Sequence, residues 1–167
     1  MKHRQVLNLC LAAVFAAIIY VFTALLHIPT STGYTHVGDG FIYLAACLLP
    51  APYAVAAGVI GAGLADLLSG YAIWFPGTVI IKALTALCFS RSTEKIICRR
   101  NLLALVPAWV LCIGGYFLYK GIIVESFAAA LTGIPGDAVQ AAASTVVFVA
   151  LGRALDGFRI KERLPVL

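Results

Sequence analysis

Apolar residues fall in long blocks along this chain, broken by short polar stretches, and neither strict alternation nor one-sided amphipathic patterning dominates. The blocks cover 6–26, 38–49, 53–68, 76–89, 102–118 and 138–155. A helix needs about 20 apolar residues to cross a hydrocarbon core of about 30 Å, so such blocks predict membrane-spanning helices. The second is short: about twelve residues rise only ~18 Å. It is joined to the third by Pro50-Ala51-Pro52. The first block is too long for a signal-peptide core and reads as a spanning helix.

Charge orients these blocks. Ten of the twelve Lys and Arg fall in three clusters: Lys2 and Arg4; Arg91, Lys95, Arg99 and Arg100; Arg153, Arg159, Lys161 and Arg163. Basic residues beside apolar spans mark the cytoplasmic side. The N-terminus and the 91–100 link then share a face, and an even number of crossings separates them. Blocks two and three therefore both cross or neither does, and because 53–68 is long enough to cross nearly alone, both are expected to cross. The expectation is a single membrane domain over 1–167, an all-α compact bundle of six transmembrane helices, with both termini cytoplasmic. The outer loops become 28–37, 69–75 and 119–137, which hold one Lys and no Arg.

Composition agrees: 62% of residues are hydrophobic, 11% are charged, and the mean hydropathy is +1.00. The net charge of +5 is confined to the basic clusters, without the basic-aromatic interleaving of a nucleic-acid surface, so no nucleic-acid partner is expected. Five cysteines show no C-x-x-C spacing and read as small buried hydrophobes. There is no phosphate-loop motif, no H-E-x-x-H and no G-x-S-x-G, so an enzyme is not expected, nor is a metal or a cofactor.

Four stretches carry candidate chemistry. The segment from Pro29 to Gly40 gathers hydroxyls, Tyr34, His36, Asp39 and three glycines. It could close over a ligand, or it could be a solvated loop in which Asp39 caps the next helix. Asp66 stands in an apolar run, where an ionisable group needs a partner or a cavity, and Lys82 is the expected partner in a structural ion pair. Tyr71 and Trp74 suit an interfacial aromatic belt, or stacking on a flat ring. Asp137 with Gln140 three residues on has the form of a capping box, and Gln140 would point into the bundle. Finally, Ala12, Ala13, Ala16 and Ala17 make two overlapping small-xxx-small stripes, for packing within the chain or against another protein.

The runs Thr32-Gly-Tyr-Thr-His-Val-Gly-Asp39, Leu64-Ala-Asp66-Leu-Leu-Ser-Gly-Tyr71 and Pro76-Gly-Thr-Val-Ile-Ile-Lys82 resemble the substrate-binding S components of energy-coupling factor (ECF) vitamin transporters, riboflavin-type branch. The similarity covers most of the first four blocks and thins to Pro135–Gln140 in the last. It implies a six-helix subunit of a bacterial cell membrane that captures a vitamin or precursor at the outer face. Riboflavin, pyrimidine and pyridine types of ring all suit the polar set. Tyr34, His36, Asp39, Tyr71, Trp74, Lys82 and Gln140 are then the candidate substrate-binding residues. The resemblance further implies docking, through the alanines of the first helix, on a transmembrane coupling protein driven by two ATPase subunits. The alternative is a stand-alone secondary transporter or channel, which calls for inverted repeats or broken helices that the sequence does not show.

Overall fold

A computed structural model describes residues 2–30 and 33–163; Met1, Ser31, Thr32 and 164–167 lie outside the described residues, and with them the tip of the first outer loop and the C-terminus expected in the cytoplasm. The helices are α1 (Lys2–Ala24), α2 (Asp39–Leu48), α3 (Ala51–Leu68), α4 (Phe75–Cys88), α5 (Arg99–Leu103), α6 (Leu105–Ile123), α7 (Phe127–Ala130), α8 (Ile134–Gly157) and α9 (Ile160–Arg163). Short 3-10 turns, Ala72–Trp74 and Leu131–Gly133, lead into α4 and α8. Four helical stretches are long and apolar enough to cross a membrane: His3–Ala24, Ala51–Leu68, Arg99–Ile123 and Phe127–Gly157. The apolar helices Asp39–Leu48 and Ala72–Cys88 are shorter.

The expected loop 28–37 is a β-hairpin instead. Strands β1 (His27–Thr30) and β2 (Gly33–His36) pair antiparallel, with His27 opposite His36 and Pro29 opposite Tyr34. Thr, Ile and Tyr favour the pleated chain, and the hairpin closes its own backbone hydrogen bonds where no helix could continue past Pro29. Thr35 Oγ1 donates to the Gly136 carbonyl at 2.7 Å and ties the hairpin to the start of α8.

The shortness of the second block is explained by its surroundings. All ten residues of α2 are buried, with Tyr43, Ile42 and Cys47 fully enclosed. α2 is the axis of the bundle; α8, α3, α4 and α1 pack around it. Tyr43 stacks on Phe89 at 4.7 Å and meets Phe148 edge-on at 5.8 Å. A helix enclosed by protein needs neither the length nor the lipid-facing side chains of a spanning helix.

α1 lies along α3, and α3 along α4. The small residues make this approach possible: a Cβ on Gly61 would lie 2.6 Å from the Ala16 carbonyl oxygen. At the end opposite the hairpin, buried Asn101 bonds the backbone of Ser90 and Ile96. Asp156 accepts the Ile96 and Ile97 amides at 2.7 and 2.8 Å. Lys161 Nζ donates to the carbonyls of Arg91 and Thr93. Two of the three basic clusters are thereby brought to the same end of the molecule.

Candidate functional site

The site is built downward from the hairpin. Gly38 precedes α2 as its N-cap, and Asp39 opens the helix. A Cβ on Gly40 would lie 2.7 Å from the Ser144 carbonyl oxygen, so this start of α2 seats against α8 only because the residue is glycine. Asp39, 1% exposed, is thus driven into the centre of the bundle. Its carboxylate does not cap the helix as expected. Lys82 Nζ of α4 stands 2.8 Å from Oδ1 and donates to Oδ2 at 2.9 Å. Gln140 Nε2 of α8 donates to the same Oδ2 at 3.0 Å. One carboxylate therefore joins α2, α4 and α8.

This corrects the expected Asp66–Lys82 pair. Lys82 is taken by Asp39, whose carboxylate it meets deep in the core, while Asp66 accepts a hydrogen bond from the Tyr34 hydroxyl of β2. The sequence reasoning paired neighbours along the chain; the burial of α2 supplied a closer partner. The other Asp66 oxygen, Oδ2, has no hydrogen-bond partner among the described residues.

The expected capping box is also replaced. α8 begins at Ile134, upstream of Asp137, and Asp137 pairs with Lys120 of α6 at 3.0 and 3.3 Å. Gln140 does point into the bundle, as expected, and there finds Asp39.

Between hairpin and bundle lies a cavity of about 30 Å³, room for a water or two. Tyr34, His36, Asp66, Trp74, Lys120, Asp137 and Gln140 line it, with Thr23, Thr78 and Tyr116 filling the gaps. Tyr71 stands behind this wall and packs on Tyr34 at 4.6 Å. Asp39 and Lys82 lie behind Gln140, outside the lining. Trp74 packs against Tyr116 and Tyr119, with Lys120 Nζ 5.6 Å from its ring centre. Lys82 Nζ lies 5.0 Å from the ring centre of Tyr116.

Two hairpin groups are electrostatically set. Burial pushes the His36 imidazole down to about 4, outweighing the opposing pull of Asp39. The ring is therefore neutral at ordinary pH, and its Nδ1 accepts the Gly38 amide at 3.1 Å. Burial, and then the neighbouring Asp66, push the Tyr34 hydroxyl up, so it stays a proton donor.

Lys120 and Tyr116 were missed as site residues. The signal for Lys120 was present: like Lys82 it stands outside every basic cluster, which in an apolar run demands a partner. Tyr116 carried no signal that separates it from an ordinary apolar-face tyrosine.

The alanines of α1 divide in two. Ala12 is buried and Ala16 half-buried toward α3, while Ala13 and Ala17 are exposed. All four line an apolar groove of about 420 Å³ between α1 and α3, flanked by Tyr20 and Tyr53.

In comparison with known proteins, the family described as "ECF-type riboflavin transporter, S component" matches residues 4–156. No curated protein matches the chain.

Proposed function

The chain belongs to the family of ECF-type riboflavin transporter S components, and from that premise we propose that it captures a flat, polar ring in the cavity beneath the hairpin and delivers it to an ATP-driven importer. The observation that carries this reading is the convergence of Tyr34, His36, Trp74 and Gln140 on one cavity. Four of the seven residues singled out as substrate-binding line it directly. Tyr71, Asp39 and Lys82 brace those that do.

The cavity has room for a water or two but not for a ring, so admission requires a wall to move. The hairpin is the wall we take to move; hydrogen bonds of Thr35 to Gly136 and of Tyr34 to Asp66 hold it to the bundle. In this reading the chain crosses a bacterial cell membrane six times, with both termini on the cytoplasmic side and the hairpin outside. The four long helices, the enclosed α2 and the short α4 are compatible with that count.

The groove between α1 and α3 is the proposed docking face for a transmembrane coupling protein, itself driven by two ATPase subunits. Exposed Ala13 and Ala17 allow a partner helix close approach. The deciding experiment is riboflavin uptake by cells with and without the coupling and ATPase subunits. Uptake only in their presence is expected. Equal uptake in their absence would favour a stand-alone carrier.

A further inference from the structure

The buried charges around the cavity do not balance. Among the described residues, Asp39, Asp66 and Asp137 face only two buried cations, Lys82 and Lys120, all five being at most 8% exposed. Both cations are committed: Lys82 to Asp39 at 2.8 Å and Lys120 to Asp137 at 3.0 Å. Asp66 is left with a neutral phenol, Tyr34, on one oxygen. Its other oxygen belongs to a side chain that lines the cavity, and it has no partner among the described residues. The Thr78 hydroxyl, paired with Tyr116 at 3.0 Å, is the neutral group that also bears on Asp66, and among the described residues no cation pairs with that carboxylate. The Thr23 hydroxyl, also on the cavity wall, is a second buried polar atom with no partner among the described residues.

We infer that the substrate is an aromatic heterocycle bearing a cationic or strongly donating nitrogen, which sits on Asp66 Oδ2, and that anionic forms of the same ring are rejected. A buried carboxylate without a cation is costly, and an N–H donor from the ligand relieves that cost while ring faces meet Trp74. A carboxylate or phosphate in the same place would add a fourth negative charge to a site whose positive charges are already neutralised. Thr23 offers the second polar contact, fixing the ring's rotation. This deepens the capture role proposed above and rests on the cavity being the capture site.

The test uses the purified full chain in detergent and matched rings: aminomethylpyridine against pyridinecarboxylate, and aminopyrimidine against pyrimidinecarboxylate, each pair substituted at the same position. Tryptophan fluorescence titration reads binding. The basic member of each pair should bind at least about tenfold more tightly, as expected for one charge-assisted hydrogen bond. Asp66→Asn should abolish the preference within each pair. Should Asp66→Asn not fold, the ratio within each pair on the unmodified protein still decides. A carboxylate ring that binds as well as or better than its basic partner overturns the inference, as does failure of every basic ring to bind. Neither result touches the docking role, which falls separately, by failure to co-purify with the coupling and ATPase subunits.

Discussion

Lys82 of α4 and Asp39 of α2, 43 residues apart in the chain, form an ion pair at 2.8 Å with both side chains at most 2% exposed. The pair fixes where α2 starts and, through Gln140, where α8 lies against it. Removing one partner strands a charge where neither water nor another counterion reaches it. Asp39→Asn or Lys82→Met alone should destabilise the protein by about 3–5 kcal/mol. The double variant should recover much of that loss, because no bare charge remains. Thermal unfolding in detergent measures both. The combination Asp66→Asn with Lys82→Met should show no comparable recovery, and recovery there would restore the Asp66–Lys82 pairing.

His36 gives the fold a pH dependence with a definite sign. Its folded value of about 4 lies below the ordinary histidine value of 6.5, so folding favours the neutral ring. Stability is fully present above the unfolded value and falls as pH drops from about 6.5 toward 4, by at most about 3 kcal/mol. His36→Gln should flatten that part of the melting-temperature profile. An unchanged profile would show that the imidazole is not held neutral.

Trp74 and Tyr71 should separate in binding assays. Trp74 lines the cavity, whereas Tyr71 touches it only through Tyr34. Trp74→Ala should weaken riboflavin binding by about tenfold, the order of a lost aromatic contact plus its apolar area. Tyr71→Phe, which keeps the ring packing, should leave it nearly unchanged. Equal losses would place the ring elsewhere.

The two halves of the α1 stripe should also behave differently. Ala13→Trp with Ala17→Trp puts bulk on the exposed side and should block co-purification with the ATPase subunits while melting and riboflavin binding persist. Ala12→Trp with Ala16→Trp drives bulk into α3 and should lower the melting temperature directly. If the first pair leaves co-purification intact, the groove is not the docking face.

Sidedness is open to direct measurement. In a cysteine-free background, a cysteine at exposed Thr132 should react with an impermeant reagent added outside intact cells, and one at Thr93 should not. Labelling at Thr93 would reverse or dismantle the six-crossing arrangement.

Much of the architecture was legible because apolar run length and charge clustering report directly on helices and their ends. The observed bounds of α3 and α4, Ala51–Leu68 and Phe75–Cys88, fall within two residues of the expected 53–68 and 76–89. The limits appear where three-dimensional placement decides. A short apolar run reads the same whether lipid or protein surrounds it, so the enclosure of α2 was invisible. Charge pairing was misread for the same reason: Asp66 and Lys82 are closer in sequence, but Asp39 is delivered to Lys82 by the buried helix it heads. The polar segment from Pro29 to Gly40 read as a loop, and nothing in it announced the strand register that sets Tyr34 on Asp66.

The enclosure of α2 also bears on how the chain is made. A segment of ten residues is too short for the insertion machinery to stabilise by itself in lipid, and only Leu49 and Pro50 separate it from α3. On the six-crossing reading the two would enter the bilayer together, as a helical hairpin. Asp39 precedes Lys82 by 43 residues and Gln140 by 101, so it is synthesised before either of the groups that hold it in the folded chain. In chain order, the axis of the bundle is made ahead of its counterion.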